Sequence, residues 1–418
     1  MGIVPQQERT VLGLGNKSAL MPGLNLLLAA LCMILSPACT PRAQREGPRA
    51  EDFAAEAKLL YRVVACSGNA AMPANLDPQI VARHCQSLQA RMARYRRVYL
   101  ARATPFLAAL RPSGLPDTVV YPFGGGDLLA ALTTFPDGRL ITTLSLELSG
   151  DPRRITHIDN KHLDQSLDLV DRNVGRLLAA NDSTSETLMG TQQGELPGQL
   201  SYFLVALAVH GYEPVSLRYF HVEADGSLHY YSAAEVRIME TRLARARHGE
   251  WTSPDFSEAF ANSELVFRPV NSQGPLRVHR HIGANLRDGS LKKNVGILRY
   301  LENQGHVAAM TKAASYCLWN SGFSRIRKYL LANMVFMISD STGIPPEFAR
   351  QAGFIQETYG SFHGAMCFDG CPSDEYNDQF RELWASQPRR NLGFRYGYVD
   401  SKSSYNLLVT QRAPVATP

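Results

Sequence analysis

The chain has 418 residues, of which 45% are hydrophobic and 19% charged, and a formal net charge of +5. That length allows one large domain or two ordinary ones, and the composition excludes a fibrous chain, or a disordered one beyond its two ends. So small a charge, without a concentrated patch, gives no argument for nucleic acid as a partner.

Arg9 and Lys17 precede an apolar run from Leu24 to Leu35, followed by Ser36-Pro37-Ala38-Cys39. The run of 12 residues is too short to cross a bilayer as a helix, which takes about 20. It fits the apolar region of an export signal, with small Ser36 and Ala38 before the cut. A start at Met21 would remove both positive charges. Leu35-Ser36-Pro37-Ala38-Cys39 resembles the lipobox of bacterial lipoproteins, in which the cysteine becomes the acylated first residue. Two departures stand out: Leu35 lies four rather than three places before Cys39, and Pro37 takes a position usually held by a small residue. The expectations are a signal peptide over 1–38, a lipid anchor on Cys39 as the membrane contact, and a periplasmic or outer-membrane location. Free secretion is the alternative.

Cysteine usage suits an oxidising compartment. Cys66 and Cys85 fall near facing ends of two expected helices, and Cys367 and Cys371 enclose the turn-forming Phe368-Asp369-Gly370. Both pairs are expected as disulfides, with Cys317 a free buried thiol. Zinc competes for the second pair, but no further Cys or His pair completes a tetrahedron, so no metal is expected.

In chain order, Ala54, Leu59, Leu60 and Val63 mark a helix face, and Asn75-Leu76-Asp77-Pro78 starts a second helix with proline at its first position. That helix carries Arg83, Arg91, Arg94, Arg96, Arg97 and Arg102 with no acidic residue between Asp77 and Asp117. Two readings stay open: a surface for anionic lipid or polysaccharide, or a solvated face whose acidic partners come from elsewhere in the fold. Val119-Val120-Tyr121 reads as a strand, Gly124-Gly125-Gly126-Asp127 as a turn and helix cap, 128–133 as a short helix, and 140–148 as a strand ending near Glu147. This is a strand–helix–strand unit of a parallel sheet. Helices are expected at 163–180 and 199–209, with a polar loop at 181–194 between them. Hairpins follow at 215–222 with 228–231 and at 265–270 with 276–282. From Val295 onward helices dominate, at 309–319 and 323–338, before a closing strand pair at 394–399 and 406–410. The expected class is α/β, with a central, Rossmann-like sheet. Its regions are a helical hairpin over 39–112, an α/β core over 113–290, and a helix-rich part over 291–418 that ends in the strand pair.

The glycine turn is the most suggestive chemistry. Glycines at the amino end of a helix let an anion approach backbone amides, and Glu147 would end the next strand. Gly124, Gly125, Gly126, Asp127 and Glu147 are therefore the candidate ligand-binding residues, and the unit resembles the nucleotide-binding half of a Rossmann fold or of a methyltransferase. The glycines are consecutive rather than spaced, and such cofactors are not normally supplied outside the cytoplasm, so no cofactor is expected. Ser290-Leu291-Lys292-Lys293 has the serine–lysine spacing of penicillin-binding enzymes without their other motifs. Asp340-Ser341-Thr342-Gly343 has one residue too many for an aspartic-protease turn and no second copy. His157 with His162, and His279 with His281, lack a convincing third metal ligand.

Two blocks look familiar. One runs from Val120-Tyr121-Pro122-Phe123 through Gly124–Asp127 and Phe135-Pro136-Asp137 to Leu146-Glu147. The other joins Lys312-Ala313-Ala314-Ser315-Tyr316, then Phe323-Ser324 with Ile326-Arg327, then Asp340 to Pro345. Together they resemble an uncharacterised family of bacterial exported proteins and lipoproteins with no assigned activity. The expected function is an envelope-associated, non-enzymatic lipoprotein that binds a glycan or protein of the envelope. A periplasmic hydrolase and a degenerate nucleotide-binding, methyltransferase-like fold are the alternatives.

Overall fold

Strand β1 (Thr118–Pro122) carries Val119 and Tyr121 on one face and Val120 on the other, and all three are buried. A strand buried on both faces belongs inside a sheet that helices cover from two sides. The structure, a computed structural model, describes residues 49–180, 194–243, 258–312, 317–341, 343–362, 374–397 and 405–413. Cys39 and the pair Cys367 and Cys371 lie outside the described residues.

Strands β2 (Leu140–Ser145), β6 (Arg277–Gly283), β7 (Val307–Thr311) and β8 (Met334–Ser339) run parallel to β1, in the order β6-β2-β1-β7-β8. Antiparallel wings complete a ten-stranded sheet. On one side stand β3 (Tyr212–Val222), β4 (Leu228–Tyr230) and β5 (Asn262–Pro269), and on the other β10 (Asn406–Arg412), then β9 (Phe354–Gly360) at the edge. The fold is therefore α/β. Counted by their order along the chain, the five parallel strands lie as third, second, first, fourth and fifth, the inner order of doubly wound nucleotide-binding sheets.

One face, that of Val119 and Tyr121, is covered by α1 (Ala54–Val63), α2 (Pro78–Tyr95), α3 (Ala101–Leu110), α4 (Leu128–Thr134), α5 (Asn160–Ala180) and α6 (Gly198–His210). After β4 comes α7 (Ala233–Leu243). The face of Val120 is covered by α8 (Asp288–Lys293), α9 (Val295–Glu302), α10 (Ser324–Asn333) and α11 (Pro346–Gln351). Phe380 of α12 (Asp374–Ala385) packs separately on Leu408 of β10. Local signals set the boundaries. Asp77 accepts a hydrogen bond from the Gln79 amide at 2.8 Å and Pro78 opens α2, while Gly211 closes α6 with φ +73°. A π-helical turn, Arg96–Leu100, joins α2 to α3.

The two amino-terminal helices share a layer, α1 packing on β3 and α6 and α2 on α5, joined by the expected Cys66–Cys85 disulfide. Cys317 forms no disulfide among the described residues and is only half-buried. The carboxy-terminal part departs from expectation. Val307–Thr311 and Met334–Ser339 are strands, not parts of helices at 309–319 and 323–338; between them the described residues form a 3-10 turn, Ser321–Phe323, and α10. Interior parallel strands bury every side chain, so the two-residue alternation that marks a strand vanishes. The closing pair also differs. β10 lies between β8 and β9, while Tyr396 makes only an isolated bridge to Tyr405.

The disulfide spans 19 residues, and a loop of that size should stabilise by about 3 kcal/mol in the chain-entropy account. Cys66→Ser with Cys85→Ser should lower the urea-unfolding free energy by that order. Unchanged stability would remove the bridge from the fold's energetics.

Candidate functional site

The site grows from the end of β1. Phe123 leaves the strand with φ +61°, a left-handed conformation that costs a non-glycine residue about 1–3 kcal/mol. Its ring packs edge-on against Phe323 at 5.7 Å. The chain then folds back on itself: the Gly124 amide donates to Leu144 O at 3.0 Å, and the Asp127 amide to Gly124 O at 2.9 Å. Each glycine has its own reason. A Cβ on Gly124 would stand 2.7 Å from the Tyr121 ring, and one on Gly126 would stand 2.8 Å from Gln199 Oε1. Gly125 has φ +48°.

Asp127 is the hub. One carboxylate oxygen caps α4 by accepting from the Ala130 amide at 3.1 Å. The other accepts from Tyr121 Oη at 3.1 Å and from Lys312 Nζ at 3.0 Å. Lys312 follows β7, its ammonium also lies 5.6 Å from the centre of the Tyr396 ring, and both charged side chains are almost wholly buried. Burial first, and then the neighbouring Asp127 charge, raises the Tyr121 phenol well above its usual range, so it remains a donor. Asp340 follows β8 and is also buried. Beside it, the Ser341 amide donates to Asn406 Oδ1 at 2.8 Å at the start of β10.

The ends of β1, β7 and β8 thus meet at one polar cluster, at the point where strand order reverses. That crevice is where doubly wound sheets bind ligands. Both sequence blocks quoted above contribute to it, the first through Asp127 and the second through Lys312 and Asp340. Glu147 is placed apart from the hub, beyond the end of β2. It is 5% exposed, its backbone carbonyl accepts from His281 Nε2 at 2.8 Å, and its carboxylate has no hydrogen-bond partner among the described residues. Gln199, fully buried at the start of α6, has no partner for either side-chain amide atom among the described residues.

The remaining candidates resolve into structural roles. His279 and His281 are buried strand neighbours that share Thr143 Oγ1, at 2.9 and 3.0 Å. Since His281 Nε2 must donate to the Glu147 carbonyl, its Nδ1 accepts from the Thr143 hydroxyl. Thr143 then accepts from His279 Nε2, and the unpartnered His279 Nδ1 is left as a bare lone pair. His162 pairs with Asp159 at 2.7 Å, His157 is exposed, and Lys292 and Lys293 point to solvent. Among the described residues no group of His, Cys, Asp and Glu is arranged to hold a metal ion.

Lys312, Tyr121, Tyr396, Gln199 and Asn406 were not singled out from sequence as site residues. The usable signal was Lys312 at the end of an apolar run, a charge where a buried strand ends. Chemically, the ion pair at its centre is saturated rather than poised: the Asp127 oxygens hold three donors, and Lys312 is paired with a carboxylate. Comparison with known proteins gave no match, whether to a family model, a curated protein or a solved structure.

Two outcomes test this site. Gln199→Leu removes a buried amide with no partner, so it should raise stability by about 1 kcal/mol; a loss of that size would mean the amide has a partner. Burial holds His281 and His210 down at about 4, and His279 well below its ordinary value. Between pH 4 and the unfolded value of about 6.5 the unfolded chain binds more protons, so stability rises with pH in that window. Urea-unfolding free energies should be level above pH 7 and fall by roughly 2 kcal/mol for His281 alone by pH 5. A flat profile from pH 7 to 5 would contradict the neutral chain.

Proposed function

We propose that this chain is an exported, envelope-facing protein that binds its ligand without transforming it. In this reading it is built on a nucleotide-binding type of sheet whose cofactor crevice its own side chains fill. The parallel strand order supports the ancestry. So does β10, an antiparallel strand inserted between β8 and the edge strand β9, which resembles the sheet of methyltransferases. Glu147 follows the glycines at about the 20-residue distance of the acid that holds a ribose in such folds.

The carrying observation is the occupied switch point. Lys312 reaches Asp127 across it at 3.0 Å, and Gln199 and Tyr202 fill the open side of Gly126. A hydrolase using Asp127 as its base would first have to strip it of Tyr121, Lys312 and the α4 cap. Export draws support from the leader and from the Cys66–Cys85 disulfide. Membership of the uncharacterised exported family, and acylation of Cys39, belong to the same proposal.

Calorimetric titration with NAD and with S-adenosylmethionine should give no saturable heat and no change in melting temperature. Saturable binding that Glu147→Gln abolishes would refute the filled crevice and restore a nucleotide site. For the anchor, labelling by a fatty-acid analogue should vanish in Cys39→Ser; equal labelling of both forms would reject acylation there.

A further inference from the structure

The arginine-rich helix resolves into two populations. Arg83 pairs with Asp164, Arg91 with Asp171 at 3.1 Å, and Arg96 donates to the Ala208 and Val209 carbonyls that end α6. These arginines are used by the fold. Arg94 and Arg395 have no partner among the described residues, and Arg102 reaches only the Gly393 carbonyl, at 3.5 Å. All three line a cavity of about 300 Å³, together with Arg91.

The cavity has an aromatic wall. Tyr95 and Tyr99 stack at 4.8 Å, and Tyr99 meets Phe394 edge-on at 5.6 Å. Phe394 and Arg395 of the cavity lining directly precede Tyr396, whose ring centre lies 5.6 Å from the Lys312 ammonium, so the cavity lies near the buried hub. Arg91, Arg94, Tyr95 and Arg102 fall on one helical stripe. The π-helical turn Arg96–Leu100 interrupts that stripe, and such turns are frequent at functional sites. Unpaired guanidinium groups gathered in a concavity concentrate positive potential and gain by receiving an oxyanion, which their planar fork can bind bidentately.

We propose that this groove is a binding site for a sugar-sized oxyanion, a carboxylate- or phosphate-bearing sugar unit. The volume sits at the lower end of small-molecule sites. The half-buried Tyr99 beside the arginines, backed by the buried Tyr95 and Phe394, suits a ring that carries one anionic group. A concave site of this size favours a discrete ligand over a flat anionic membrane. The inference rests on the binding-protein reading and names the ligand class for it.

The test is calorimetric titration of the full chain with tri-galacturonate, glucose 6-phosphate, neutral maltotriose, inorganic phosphate and phosphatidylglycerol vesicles. Saturable binding of either anionic sugar is expected, and the tighter of the two identifies the anion. Maltotriose should not bind. Arg94→Gln with Arg395→Gln should weaken binding at least tenfold at unchanged melting temperature, whereas Arg97→Gln, outside the groove, should leave it unchanged. The proposal is overturned if neither anionic sugar binds, if the double variant binds as well as the parent, if inorganic phosphate binds as tightly as glucose 6-phosphate, or if only vesicles bind. A failure here leaves the filled nucleotide crevice intact, and success with NAD or S-adenosylmethionine would refute that crevice without touching the groove.

Discussion

The Lys312 ammonium lies 3.0 Å from the Asp127 carboxylate, with both side chains almost entirely out of water, and much of what is particular to this sheet depends on that contact. Removing two charges from water costs several kcal/mol each. Tyr121, the Ala130 amide and the Tyr396 ring offset that cost by completing the shell around the pair. Because the partners follow β1 and β7, their contact ties together the two strands on either side of the reversal in strand order. The glycines serve the same end: only a turn without Cβ atoms folds tightly enough under Tyr121 and Gln199 to bring Asp127 back over the strand ends.

Buried polar groups recur on both faces of the sheet and link its strands. On one face the chain His279–Thr143–His281–Glu147 carbonyl links β6 to β2. On the other, Glu264 of β5 is held between Arg218 of β3 and Arg280 of β6, and each arginine is its direct cross-strand neighbour. Arg280 continues to the Tyr300 hydroxyl, which meets Thr142 of β2 at 3.1 Å. A slip of one residue would turn all of these groups toward the wrong face and leave buried polar atoms without partners. Hydrophobic burial drives the sheet together, and these contacts specify its register.

Elements carrying a local signal were legible in the sequence. Asp77-Pro78 announced α2, Asp127 announced α4, Gly211 ended α6, and Asp225-Gly226 marked the hairpin of β3 and β4. The Cys66–Cys85 pair was expected between two helix ends; Cys66 does follow α1, but Cys85 sits midway along α2. β7 and β8 were read as helix because Val307–Thr311 and Met334–Ser339 are short apolar runs in which burial on both faces erases the strand period. With those strands misread, the meeting of Lys312 and Asp340 with Asp127 was invisible, since it depends on sheet order between residues 185 positions apart in the case of Lys312. The arginine helix was left between two readings, and the fold divides its members between them: Arg83 and Arg91 found acidic partners on α5, while Arg94 and Arg102 turn to the groove.

On this account, the edge of the sheet that would hold a cofactor in a doubly wound enzyme is occupied by a permanent internal ion pair, and recognition moves outward to the arginine groove. A double-mutant cycle tests the ion pair most directly. Asp127→Asn keeps an oxygen for the α4 cap, Lys312→Met keeps the bulk of the lysine stem, and urea unfolding of both single variants and the double variant gives their coupling. A coupling energy of about 1–3 kcal/mol, with the double variant more stable than the sum of the single effects predicts, is the expected result. Additivity within about 0.5 kcal/mol would mean that the two charges do not hold the switch point closed.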